Sequence, residues 1–242
     1  MDQIDESLSI VEIGQFSVTR IVSKLFRENG YIVTKQGCST TLVIDAGGQA
    51  EEFIRFHTDH ELSPERILLT HGHFDHLGAI KQLCEHYKMP CYVHENDKRL
   101  VRQAPLYGIR FSRSRVDAPE QVAPFANGVQ WYWDGEPINV WPAPGHTAGG
   151  VMYEIGGLIF TGDCLFFEAV GPTRAPEGDI NTLRDSIDNL FSHAGDHQLL
   201  FPGHGKHWNI GAARQWWQET RRSPPCIDVF AMPCKSACRT GE

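Results

Sequence analysis

Four short apolar runs in this chain each end on a histidine or an aspartate beside a glycine. "RILLTHGHFDH" runs from Arg66 to His76, "INVWPAPGH" reaches His146, "GLIFTGD" reaches Asp163 and "QLLFPGH" reaches His204. Short runs rich in Leu, Ile, Val and Phe, bounded by Gly and Pro, mark buried strands. Loops at the ends of neighbouring strands meet at one rim of a sheet, and a flanking glycine lets backbone and side chain approach a shared centre closely. A fold that satisfies all four runs brings their ends to one place.

The rest of the chain fits such a sheet-based frame. "LSIVEIG", "VTRIVS", "GYIVTKQ" and "TTLVIDAGG" read as successive strands, followed by a helix from Ala50 to His60. Leu77, Ile80, Leu83, Cys84 and Tyr87 recur at three- and four-residue steps, which predicts a helix stopping before Pro90 and puts "HGHFDH" in a strand-to-helix loop. "MPCYVHE" reads as a strand, "NDKRLVRQA" as a helix, and the region from Pro105 to Gly128 as a polar loop or lid. "VQWYW", "PINVWPA", "GVMYEIG" and "GLIFTGD" are a second group of strands. They precede a helix marked by Leu183, Ile187, Leu190 and Phe191, a strand "HQLLFPG" and a last helix "IGAARQWWQET". Two strand-rich halves, each with helices attached, predict two packed sheets with helices outside.

With 242 residues, 41% of them hydrophobic and 21% charged, the chain fits one domain over residues 1–222 and a cysteine-bearing tail over 223–242. Cys226, Cys234 and Cys238 of that tail match none of the usual zinc spacings, so it reads as a mobile or partner-packed segment. A net charge of −8 argues against gripping a phosphate backbone, and nucleic acid is not an expected partner. The acidic start "MDQIDESLSI" lacks the features of an export signal and no apolar run is long enough to span a bilayer, which predicts a cytoplasmic protein with reduced cysteines and no membrane partner.

Taken singly, the 12 histidines say little, and His57, His60, His86, His94, His193 and His197 are assigned to the surface or to hydrogen-bonded core positions. The opening segment differs in density. His71 and His73, two apart in extended chain, point the same way, while Asp75 and His76 lie at the turn into the helix. Neutral imidazole and carboxylate are ligands for zinc, iron or manganese.

His71-x-His73-x-Asp75-His76, followed in order by His146, Asp163 and His204, resembles the metal-binding signature of the metallo-β-lactamase superfamily. The resemblance covers nearly the whole chain up to about Trp217 and implies an α/β fold of αβ/βα sandwich type, with two packed mixed β-sheets and helices on their outer faces. It further implies two divalent metal ions, zinc first, with iron or manganese as alternatives. One ion takes His71, His73 and His146, the other Asp75, His76 and His204, with Asp163 bridging and with Asp75 and Asp163 as the catalytic carboxylates. Asp45, in "LVIDAGG", is expected to support the site rather than bind metal, and Cys164 to be a packing residue. A hydroxide shared by two ions is then the nucleophile, so no serine or cysteine is needed for that role.

Within the superfamily, "THGHFDHLGA", "PAPGHTAGG", "TGDCLF" and "FPGHG" look most like the glyoxalase II group, which implies hydrolysis of a small acyl thioester of the hydroxyacylglutathione kind. The chain departs from that group in two ways. Only residues 205–242 follow His204, and "VGPTRAPEGD" has Pro172 where compact relatives often carry an arginine. Phe166, Arg174, Tyr107 and Arg110, with Arg113, are candidate substrate contacts. A mononuclear-iron persulfide dioxygenase is the alternative, then a lactone or other ester hydrolase, and last a module that binds metal without turnover. Trp216 and Trp217 are expected to pack on the core, with a homodimer contact as the other reading.

Overall fold

The computed structural model describes residues 8–227, so Cys234 and Cys238 lie outside the described residues. The first strands form antiparallel neighbours: β1 (Leu8–Ile13), β2 (Phe16–Val22), β3 (Asn29–Lys35) and β4 (Thr40–Ile44). A crossover through helix α1 (Ala50–Asp59) then adds β5 (Ser63–Leu68) in parallel to β4. Helix α2 (Ile80–Tyr87) leads to β6 (Cys91–His94), and helix α3 (Lys98–Tyr107) to β7 (Val122–Phe125), both again parallel to their neighbours. The seven strands lie in chain order in one mixed sheet.

The second sheet has the order β15-β14-β11-β10-β9-β8. Its members are β8 (Trp131–Trp133), β9 (Glu136–Pro142), β10 (Val151–Ile155), β11 (Leu158–Gly162), β14 (Leu199–Pro202) and β15 (Trp208–Asn209). β12 (Leu165–Phe166) and β13 (Ala169–Val170) form a separate small hairpin, helix α4 (Ile180–His193) links it to β14, and helix α5 (Ile210–Thr220) follows β15. Val170 pairs with Cys226, so residues 225–227 run beside β13.

Period-two alternation decides the layering. Tyr31, Val33, Leu42 and Ile44 point from the first sheet into a cluster with Tyr153, Leu158, Phe160 and Phe201 of the second. Their chain neighbours Ile32 and Val43 point the other way, onto Phe53 of α1 and Ile80 and Leu83 of α2. The second sheet does the same, sending Met152, Ile159 and Leu200 outward onto Leu183 and Ile187 of α4 and Ala213 and Trp217 of α5. Each large apolar side chain so removed from water contributes about 1.5–3 kcal/mol. The result is the expected four layers, helices over sheet over sheet over helices, and Trp217 belongs to the core, its indole N–H donating to Asp188 at 2.8 Å.

The stretch from Pro105 differs from its sequence reading as a loop. α3 carries Pro105 in its last turn, and the chain continues as a wider π turn over Gly108–Ser112 before reaching β7. Proline withdraws one N–H from the helical ladder, and the wider turn accommodates the loss. Stacking of Tyr107 on Phe111, and of Phe111 on Phe74, holds this turn against the ligand-rich loop.

Candidate metal centre

Every motif residue sits just past the C-terminal end of a strand: Asp45 after β4, His71 to His76 after β5, His146 after β9, Asp163 after β11 and His204 after β14. β4 and β5 are parallel, as are β11 and β14, so these ends face one rim across the two sheets. The seven residues with the sequence signature gather there in two groups whose donor atoms lie within 4.8 Å of one another: His71, His73 and His146, and Asp75, His76, Asp163 and His204. Glycines permit the approach. A Cβ at Gly203 would stand 2.2 Å from Asp163 Oδ1, and the backbone at Gly162 is left-handed, with φ of +50°.

In the first group, His73 Nδ1 and His146 Nε2 are 2.8 Å apart. In the second, Asp163 Oδ1 is 3.2 Å from His76 Nε2, and Asp75 Oδ2 is 3.2 Å from His204 Nε2. Asp163 Oδ2 lies 3.6 Å from His146 Nε2 and 3.7 Å from His204 Nε2, between the two groups.

The outer edges of the rings explain which nitrogens face inward. A carboxylate or carbonyl oxygen only accepts, so His76 Nδ1 donates to Asp45 Oδ2 at 2.9 Å and His146 Nδ1 donates to the Pro172 carbonyl at 2.6 Å. The Thr70 hydroxyl gives its proton to Asp45 Oδ2 at 2.8 Å, which leaves its oxygen to accept from His71 Nδ1 at 3.1 Å. The lone pairs of His71 Nε2 and His76 Nε2 therefore point inward. Those two nitrogens, with Asp75 Oδ1 and Asp163 Oδ1, are buried and have no hydrogen-bond partner. Buried polar atoms without partners are costly, and a divalent cation satisfies imidazole lone pairs and carboxylate oxygens together. The residues present thus fit a metal pair.

Electrostatics act on the same donors in different directions. Burial, then the neighbouring His76, His146 and His73, hold the His71 imidazole well below its ordinary value, and burial with His73 lowers His146 to about 4. Both are neutral and able to bind metal at pH 7. Burial disfavours the charge on Asp163, yet His204, His76 and His146 outweigh it and keep the carboxyl well below the usual range. Asp75 is lowered in the same way by His76 and His204, while on His76 burial is outweighed by Asp45, Asp163 and Asp75, which raise it.

Two buried acids essential to this geometry carried no signal in the sequence. Asp97, at the start of α3, accepts from Gly72 N at 2.9 Å, Thr147 Oγ1 at 2.7 Å and Gly149 N at 2.7 Å, tying the His71–His73 loop to the His146 loop. Glu28 accepts from Gly47 N at 2.8 Å, its Oε1 lies 3.8 Å from His76 Nδ1, and burial pushes its carboxyl well above the ordinary range. Its neighbours Asn29 and Tyr31 donate to the Pro202 carbonyl at 2.9 and 2.6 Å, holding the His204 loop from the first sheet.

Of the candidate substrate contacts, the buried Phe166 sets its ring edge to face against His204, with centroids 5.7 Å apart. Cys164 is buried and lines the pocket with His71, His146 and Asp163. Tyr107 and Arg110 lie on α3 and the π turn, both against Phe111. Arg113 ends the π turn in left-handed conformation, and Arg174 is exposed in the segment between β13 and α4.

Similarity to known proteins agrees with this geometry. Hydroxyacylglutathione hydrolase GloC of Haemophilus influenzae is 35% identical over 187 residues, which are 75% of this chain and 85% of that protein. The crystal structure of TTHA1623 in a di-iron-bound form is 30% identical, with a TM-score of 0.70 over 86% of this chain and 97% of the other. BLEG-1, a B3 metallo-beta-lactamase, is 26% identical, with a TM-score of 0.74 over 82% and 96%. The model of the metallo-beta-lactamase superfamily matches residues 24–204, a span running from just before Glu28 to the last ligand-type histidine, and with the rim of donors it encloses this places the chain in that superfamily of metal-dependent hydrolases.

Proposed function

We propose that the protein is a binuclear thioester hydrolase of the hydroxyacylglutathione hydrolase kind. The observation that carries this reading is the position of the Asp163 carboxylate, with one oxygen between His146 and His204 and the other beside His76. A carboxylate so shared is suited to bridging two ions, with His71, His73 and His146 holding one and Asp75, His76 and His204 the other. Zinc is the first candidate, with iron or manganese next, since such donors accept several first-row metals. When bound, two such ions supply a water of lowered pKa as nucleophile and polarise the carbonyl under attack.

The chain's own residues orient and enclose. Asp45, through His76 Nδ1, and Thr70, through His71 Nδ1, fix the tautomers that turn both Nε2 lone pairs inward. Phe166, packed edge to face against His204, holds that imidazole from its apolar side. A thiol with a pKa of about 8.5 leaves as thiolate with little need of a general acid. The likeness to GloC supports the thioester class.

The test is metal content of protein purified without added metal, paired with release of free thiol from a panel of acyl thioesters. About two ions per chain with thiol release is the expected result. One iron per chain, no thiol release and oxygen uptake with a persulfide would replace this reading with the dioxygenase. Asp163→Ala is expected to abolish hydrolysis, and full turnover by that variant would remove the bridging role.

A further inference from the structure

We propose that Glu177 is a positioning residue for His73, and that the segment from Gly171 to Asp179 is the outer support of the first metal site; this rests on the reading of His73 as a metal ligand. Two of the three imidazoles of that site are backed by this one segment. The Pro172 carbonyl accepts from His146 Nδ1 at 2.6 Å, and Glu177 Oε1 lies 3.6 Å from His73 Nε2, within ion-pair reach. The two nitrogens of an imidazole lie on opposite sides of the ring. With His73 Nδ1 turned to His146, Nε2 is the nitrogen left for Glu177, and a carboxylate there holds the proton on Nε2 and the lone pair on Nδ1. A carboxylate behind a metal-bound histidine fixes its ring and raises its basicity.

The segment is built to hold that carboxylate in place. A turn closes from Gly178 N to Ala175 O at 2.8 Å, and a Cβ at Gly178 would stand 2.6 Å from the Thr173 carbonyl, so the turn needs glycine. Asp179 N donates to Gly145 O in the His146 loop at 2.8 Å, while the Asp179 carboxylate caps α4 through Thr182 N at 2.7 Å. Glu177 therefore sits within a closed turn next to a helix cap, and the cap residue's N–H is tied to the loop that carries His146. This is the same segment whose sequence departs from the glyoxalase II pattern at Pro172, and in this chain it presents a carbonyl and a carboxylate to two histidines.

The experiment is a zinc titration against a chromophoric chelator for the wild type, Glu177→Ala, Glu177→Gln and His73→Ala, with nitrogen NMR of the histidine rings in the zinc-loaded wild type and Glu177→Ala. Expected are a loss of about 10–100-fold in affinity at one site in Glu177→Ala, partial recovery in Glu177→Gln, and a His73 Nε2–H signal that broadens only when the carboxylate is removed. Wild-type zinc affinity in Glu177→Ala, with affinity lost in His73→Ala, would overturn the role of Glu177 and leave the metal site standing. Wild-type affinity in His73→Ala would overturn the ligand assignment and the positioning role with it.

Discussion

Asp45 holds His76 from behind: its Oδ2 accepts the Nδ1 proton at 2.9 Å, while its Oδ1 accepts from Thr70 N at 2.9 Å and its own backbone is left-handed, with φ of +50°. Aspartate and asparagine tolerate that conformation better than other side chains with a Cβ. Asp45→Asn therefore keeps the backbone and removes the charge behind His76. The expected outcome is a fall of about 10–100-fold in metal affinity at the second site with the fold retained, read by chelator competition and circular dichroism. Unchanged affinity would show that the charge of Asp45 is not needed behind His76.

Asp97 is expected to matter more for stability than its place at a helix start suggests. Removing its carboxylate leaves two buried backbone N–H groups and the Thr147 hydroxyl without their acceptor. Hydrogen bonds to a charged group are worth about 1.5–3 kcal/mol each, and neighbouring losses are not additive. Asp97→Ala should lower unfolding free energy by about 3–5 kcal/mol in denaturant titration, with metal affinity falling alongside. A loss below about 1 kcal/mol would mean that water replaces the carboxylate.

Much of the candidate metal centre is legible in the sequence because its chemistry is locally dense. Four ligand-type side chains fall between His71 and His76, and each later ligand follows its own apolar strand. Asp97, Glu28 and Glu177 are not legible in this way. None is set off by its sequence neighbours, and each acquires its role from a partner elsewhere along the chain, as Asp97 does from Gly149, 52 residues on. Similar reasons apply to the fold. Apolar runs announce β5, β11 and β14, but the two-residue strands β12, β13 and β15 are too short for any period to show, and Pro105 hides the end of α3.

Metal removal should cost stability as well as activity. The inward nitrogens and oxygens of His71, His76, Asp75 and Asp163 are left without partners in the absence of an ion. An ion present at about a thousand times its dissociation constant adds about 4 kcal/mol to the folded state, equivalent to a rise on the order of 10 °C in thermal midpoint for a chain of this size. Scanning calorimetry of chelator-treated protein, before and after return of zinc, checks this. Identical midpoints would argue against occupancy of the buried donors.

His57 gives a prediction in pH that is independent of the metal centre. Burial lowers its imidazole to about 4, and its ring nitrogens bond Thr41 Oγ1 at 2.8 Å and Tyr87 OH at 2.9 Å. The unfolded chain takes up a proton near the ordinary value of about 6.5, while the folded chain resists until about 4. Stability is therefore fully present above pH 6.5 and is lost as pH falls toward 4, by up to about 3 kcal/mol. His57→Gln should flatten the denaturation midpoint across that window relative to wild type, and a parallel slope in the two proteins would remove His57 as the source.

The division of the ligands between the two sheets sets an order of events during synthesis. His71 to His76 leave the ribosome as part of the first half, and His204 follows 128 residues after His76. At roughly 5–20 residues per second, that interval is on the order of 10 s. Within it His146 and then Asp163 are added, and until its end the nascent chain lacks the imidazole of His204. On the proposed binuclear reading, stable metal loading waits for a chain whose second sheet has docked on the first, and bound ions would then fasten together halves that were translated apart.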